Sequence, residues 1–146
     1  MATPVPLPTV DEGSAVAAFE RYVALAFEAR TRSPSPEALD VESYATETLV
    51  LDFRATLVDE VEQGIYWDGA TTVRVDGVSI GADRAIIVNG CIATNLTKYN
   101  RDGGSILEVE GDIEFTSRAQ VVSTPLGWRV SAIEVVQQRC TPSTGE

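Results

Sequence analysis

Apolar positions recur at helical spacing in the first part of the chain and at strand spacing in the rest. Val16, Phe19, Val23, Ala26 and Phe27 fall on one stripe of a helix, with Glu20, Arg21 and Glu28 off it. Thr9 and Glu12 have capping-box spacing, so a first helix is predicted over about residues 10–30. Ser33-Pro34-Ser35-Pro36-Glu37 is a break and restart, with Ser35 as N-cap and Pro36 at the first helical position. A short second helix then carries Leu39, Val41 and Tyr44. Thr46 caps a third, whose apolar face is Leu49, Val50, Phe53, Leu57 and Val61, and Gly64 stands where a glycine ends a helix.

After Gly64 the period changes from 3.6 to 2. Thr71, Val73 and Val75 alternate with Thr72, Arg74 and Asp76, and Asp76-Gly77 reads as a turn. Arg84 to Thr97 is β-rich, Asn100 to Gly104 is a hairpin tip, and Ile106 to Ser123 is long and alternating. Thr124-Pro125-Leu126-Gly127 has proline at the second turn position and leads into a last strand from Trp128 to Val136. Helices first and antiparallel strands afterwards signal an α+β fold with N-terminal helices packed on a curved antiparallel sheet. The expected organisation is a proline-rich extended arm over 1–9, one domain over 10–140 and a polar tail over 141–146.

Composition narrows the function classes. The chain has 146 residues, enough for one domain with a real core. Its net charge is −11, which repels nucleic acid and anionic lipid, favours solubility and permits a cationic partner or ion. No apolar run approaches the ~18 residues of a membrane span, and the N-terminus lacks the basic and apolar segments of a signal peptide. The expected location is therefore cytoplasmic or within a virion, or the cell envelope if the chain is a trimmed mature domain. Without histidine, Cys91 and Cys140 do not make a zinc site, so no metal or cofactor is expected. By spacing, the two cysteines either pair or remain buried thiols.

Tyr44-Ala45-Thr46 leads into the helix closed by Gln63-Gly64; a mid-sheet Cys91, the Gly127-Trp128-Arg129-Val130 strand start and a terminal Cys140 follow. In this order they resemble the NTF2-like (cystatin-like) α+β cone, in particular small actinobacterial and phage members, often of lipoprotein type. The resemblance covers about residues 14–140. It implies a cone-shaped sheet and a Cys91–Cys140 disulfide. The fold hosts isomerases, hydrolases, carriers and structural modules alike, so it does not decide function.

The absence of histidine removes the Ser-His-Asp and Cys-His arrangements. Proton transfer by a carboxylate and a tyrosine in the mouth of the cone is the remaining enzyme option, with Tyr22, Asp40, Tyr44 and Asp52 as pocket candidates. Interface candidates are Pro4, Pro6 and Pro8 of the arm, Tyr66 and Trp67 after the third helix, and Glu108, Glu110, Asp112 and Glu114. The last four alternate and would share one strand face. A solvated outer face is the plain reading of such a row; the sharper ones are a docking face for a basic partner or a weak calcium site, for which a straight row of carboxylates converges poorly. Trp67 is read either as core or as an exposed interface aromatic. The expected function is a non-catalytic structural or interaction module, most concretely an accessory phage capsid or tail protein that binds neighbouring subunits or itself. The alternatives are an isomerase- or hydratase-type enzyme and a ligand-binding or lipoprotein-type envelope domain.

Overall fold

Two α-helices precede four strands in a computed structural model of the chain, which describes residues 11–30 and 41–140. Helix α1 spans Asp11–Ala29 and α2 spans Glu47–Glu62. The strands are β1 (Ile65–Ile80), β2 (Ile86–Asn100), β3 (Ile106–Thr124) and β4 (Gly127–Gln137). They form one antiparallel sheet in the order β1-β2-β3-β4. The α+β class matches the expectation; the sheet itself is open, with β1 and β4 at its margins. The proline arm, the Ser33–Pro36 restart, Leu39, Asp40 and the tail from Thr141 lie outside the described residues.

α1 falls where its stripe places it. Phe19 and Val23 are fully buried and Val16, Ala26 and Phe27 pack against the same core. The core face of the sheet carries Ile86, Val88, Ile92, Ala119, Val121 and Val130. Gly90 lies between these positions, and a Cβ there would come within 3.3 Å of the Phe19 ring. The glycine therefore lets the helix settle directly on the strand.

The short second helix is absent among the described residues. In its place Val41–Ser43 forms one 3₁₀ turn, and Ala45 bridges in parallel to Val130 of β4. The Val130 N–H donates to the Tyr44 carbonyl at 2.8 Å, and the Thr46 N–H donates to the Val130 carbonyl at 2.9 Å. Backbone groups committed to the sheet are not free for a helix ladder. Thr46 is the N-cap of α2 by position, although its side chain makes no capping bond. Gly64 ends the helix at φ +71, as its sequence context anticipates.

Asp76-Gly77 is not a turn. β1 runs through it, with a register shift between Val75 and Gly77 that marks a β-bulge. The Asp76 carboxylate accepts a 2.6 Å bond from Arg74 Nε. Turn-forming residues fit a bulge as readily as a hairpin, because both need a locally irregular backbone. The chain actually reverses at Ala82–Arg84, where Asp83 and Arg84 take positive φ.

Candidate interaction surface

Strands of this length outrun the helices. At about 3.3 Å per residue β3 is on the order of 60 Å long, whereas α1 at 1.5 Å per residue is about 28 Å. One end of the sheet is therefore left over, and the sequence there is not polar throughout. Ile106 is 60% exposed, Leu107 50% and Val109 64%.

The same stretch has an open backbone edge. β3 pairs with β2 from Ile106 to Val121, but with β4 only from Thr116 to Thr124. Ile106 to Phe115 thus has no strand on its second side among the described residues. The reason is the path of the chain after β4. Beyond Gln137 it leaves the sheet plane; Thr116 Oγ1 donates to the Arg139 carbonyl at 2.8 Å, and Cys140 bonds to Cys91 of β2. The Cys140 N–H donates to Glu114 Oε1 at 3.4 Å. The chain end thus crosses β3 at Glu114 and Thr116 to reach β2, and is not paired with β3 as a strand. Cys91, Glu114 and Cys140 lie within ligand distance of one another, but with their sulfurs bonded together the cysteines offer no thiolate to a metal.

The four acidic residues do not share a face. In antiparallel register, Asp112 faces Asn95 and Glu114 faces Ala93, whereas Val109 faces Thr97 and Glu108 faces Lys98. Thr97 lies on the Asn95 side of β2 and Lys98 on the other. Glu110 is the extra residue at a bulge completed by Gly111 at φ +75. A second shift leaves Leu107 unpaired and sets Ile106 opposite Tyr99. Alternation in sequence equals alternation in space only while the register holds, and a bulge reverses it. All four carboxylates are exposed. Beside them the Tyr66 and Tyr99 rings stack at 5.2 Å.

Trp67 is 8% exposed, which corrects its candidacy as an exposed interface aromatic. Its indole N–H donates to Glu60 Oε2 at 3.0 Å, and Arg30 holds the same carboxylate at 2.6 Å. The Arg30 and Lys98 cations lie 5.4 and 5.6 Å from the Trp67 ring centre. The residue joins α1, α2 and β1 at the point where the helices stop covering the sheet.

The pocket candidates are only partly brought together. Tyr22 is buried and meets Phe53 edge-on at 6.5 Å. Burial, with the Asp52 charge adding, pushes its hydroxyl up to about 12. Asp52 itself is exposed. Tyr44 lies under Arg21, 5.6 Å from ring centre to guanidinium. A cleft of about 210 Å³ between α1 and the sheet is lined by Tyr22, Phe27, Ile92, Phe115 and Ile133. A larger cleft of about 840 Å³ lies between the start of α2 and the β3–β4 turn, with Leu51, Arg54, Leu126 and Arg129 in its walls. Both arginines there have partners: Arg54 pairs with Glu42, and Arg129 donates to the Glu42 carbonyl at 2.9 Å.

The apolar members of the exposed edge, Ile106, Leu107 and Val109, were not singled out by sequence. Their signal was present: Ile106-Leu107 breaks the alternation of β3 and places apolar residues on both faces of a strand end.

No protein-family model matches the chain, and no curated protein matches it. Among solved structures, the intermembrane space region of the chloroplast protein ARC6 is similar, at TM-score 0.66 and 13% identity over 90% of this chain and 98% of that one. A periplasmic fragment of TraM matches at TM-score 0.46 and 10% identity, over 86% and 97% of the two chains. No helix among the described residues is long and apolar enough to cross a membrane. The likeness to the ARC6 region is one of fold: helices laid on a long antiparallel sheet.

Proposed function

We propose that this chain is a non-catalytic protein-interaction module working in an oxidising setting, and that it docks through the overhanging end of its sheet. The observation that carries the reading is the coincidence of an unpaired β3 edge with Ile106, Leu107 and Val109 at half exposure or more. Apolar side chains gathered at one surface, beside unsatisfied backbone, are what a partner can bury. The Cys91–Cys140 disulfide supports a virion surface or a cell envelope over the cytoplasm, where such bonds are rare. The NTF2-like cone and an accessory role in a phage capsid or tail are the finer forms of this proposal, and they rest on the sequence resemblance. An isomerase- or hydratase-type activity needs a desolvated acid beside an apolar cavity. Asp52 is exposed and lines neither cleft; the helix–sheet cleft that holds Tyr22 is smaller than the roughly 300 Å³ at which small-molecule sites begin, and the larger cleft at the start of α2 is lined by none of Tyr22, Tyr44 and Asp52.

Site-specific photo-cross-linking in the native host tests the module. A cross-linker at Val109 should capture a defined protein, and one at Arg118, exposed on the helix-covered stretch of the same strand, should not. Equal capture from both positions, or none from Ile106, Val109 and Ile113, rejects this surface as the interface.

A further inference from the structure

The β3 edge has a charge pattern that selects its partner. Between Ile106 and Phe115 the sequence is Ile-Leu-Glu-Val-Glu-Gly-Asp-Ile-Glu-Phe, with four carboxylates and no lysine or arginine. β2 sets one cation beside this stretch, Lys98 opposite Glu108; the Lys98 ammonium already lies over the Trp67 ring, and Arg74 of β1, held by Asp76, is near enough to Glu114 to feel its charge. Exposed strand edges invite pairing with other copies of the same chain, and charges on the edge are the usual defence. Two copies of this edge laid antiparallel would bring eight carboxylates together (twice the four between Ile106 and Phe115), within a molecule that already carries −11. The repulsion opposes self-pairing. It does not oppose a strand of the opposite sign.

Resting on the interaction reading above, we infer that the Ile106–Phe115 edge accepts an extended, lysine- or arginine-rich segment of a partner protein as an added strand. Backbone hydrogen bonds along the open side of β3 would supply the affinity, as in other strand-addition complexes. Glu108, Glu110, Asp112 and Glu114 would meet the basic side chains, while Ile106, Val109 and Ile113 would receive the apolar ones. Two bulges distribute the carboxylates to both sides of the sheet. A bound strand with basic residues at successive positions, which point to alternate faces, is therefore matched on each face. The disulfide defines the length of the site. After Gln137 the chain end crosses at Thr116 and Glu114 on its way to Cys91, so the strand edge without a paired neighbour among the described residues starts at Phe115 and ends at Ile106.

The test uses the oxidised full chain and three synthetic ten-residue peptides. One repeats Lys-Lys-Val-Val, so that successive lysines point to both faces, one repeats Glu-Glu-Val-Val, and one carries the same lysines with proline for valine. The lysine–valine peptide should bind about tenfold or more tighter than either of the others. Hydrogen exchange should slow at amides within residues 106–115 and not along the free edge of β1. Reversal of all four carboxylates to lysine should invert the preference between the lysine and glutamate peptides. Equal binding of the proline peptide would reduce the effect to bulk charge attraction and overturn the inference. So would protection of the edge in the free protein that rises with concentration, which means self-pairing, or that disappears on removal of residues 1–9, which means the arm occupies it. If Val109 cross-links a partner in the host but the lysine–valine peptide does not bind, the interaction module stands and the basic strand falls. If the peptide binds as expected but Val109 captures nothing, the edge chemistry stands and the module reading falls.

Discussion

Tyr22 shows how one buried side chain ties the fold to pH. Its hydroxyl is pushed up to about 12, first by burial and then by the negative charge of Asp52. In the unfolded chain a tyrosine ionises near 10. Between these values the unfolded chain gives up the proton and the folded one keeps it, so folding stability declines as pH rises from about 10 and levels off above about 12. A gap of two units corresponds to at most about 3 kcal/mol. In urea unfolding between about pH 10 and 11.5, Tyr22→Phe should show a shallower loss of stability than the parent chain. Parallel curves would mean that the hydroxyl ionises as freely in the fold as outside it. Trp67, Glu60 and Arg30 show residue-scale logic of another kind. The tryptophan was readable as core or surface, and what buries it is a carboxylate thirty positions beyond the arginine that shares it. Local spacing carries no sign of such a meeting.

At the scale of the element, irregularities in the strands matter as much as their regular parts. Gly69 has φ +147, and a Cβ there would stand 1.8 Å from the Asn95 carbonyl oxygen of the neighbouring strand. Gly69→Ala should therefore force β1 and β2 apart locally and cost about 3 kcal/mol. Gly77→Ala, at a bulge with open space around it, should cost under about 1 kcal/mol. Thermal melts of the two variants separate these outcomes; equal shifts would show that the β1–β2 approach at Gly69 is not constraining. The helix stripes and the glycine stop of α2 were legible because they depend on residues three or four apart. The bulges at Asp76 and Glu110 were not, because a bulge is a property of two strands in register and only one of them is read at a time.

For the molecule as a whole, the disulfide closes a separation of 49 residues and fastens the end of the chain to the second strand of the sheet. In the chain-entropy view it contributes about 4 kcal/mol. Reduction should lower the melting temperature by on the order of 10 °C, and the Cys91→Ala/Cys140→Ala double variant should melt at the reduced value with or without a thiol. A melt unmoved by reductant would mean that the chain end adds nothing to stability. The bond also bears on shape, since it carries the chain that follows β4 back to β2 while β3 continues.

The sequence by itself determined the class: where helices give way to strands, which helical faces are apolar, how the hairpins at Asn100–Gly104 and Thr124–Gly127 turn, and that the surface is strongly acidic. These follow from short-range periodicity, turn chemistry and summed charge. Only the tertiary structure decided that the acidic residues of β3 divide between two faces, that Trp67 is enclosed, that Val41–Ser43 is a single turn held by β4, and that ten residues of β3 have no strand on their second side among the described residues. Each of these depends on which distant backbone lies alongside, and that is set by register and by a cross-link between residues 91 and 140, neither of which is encoded in any one stretch of the chain.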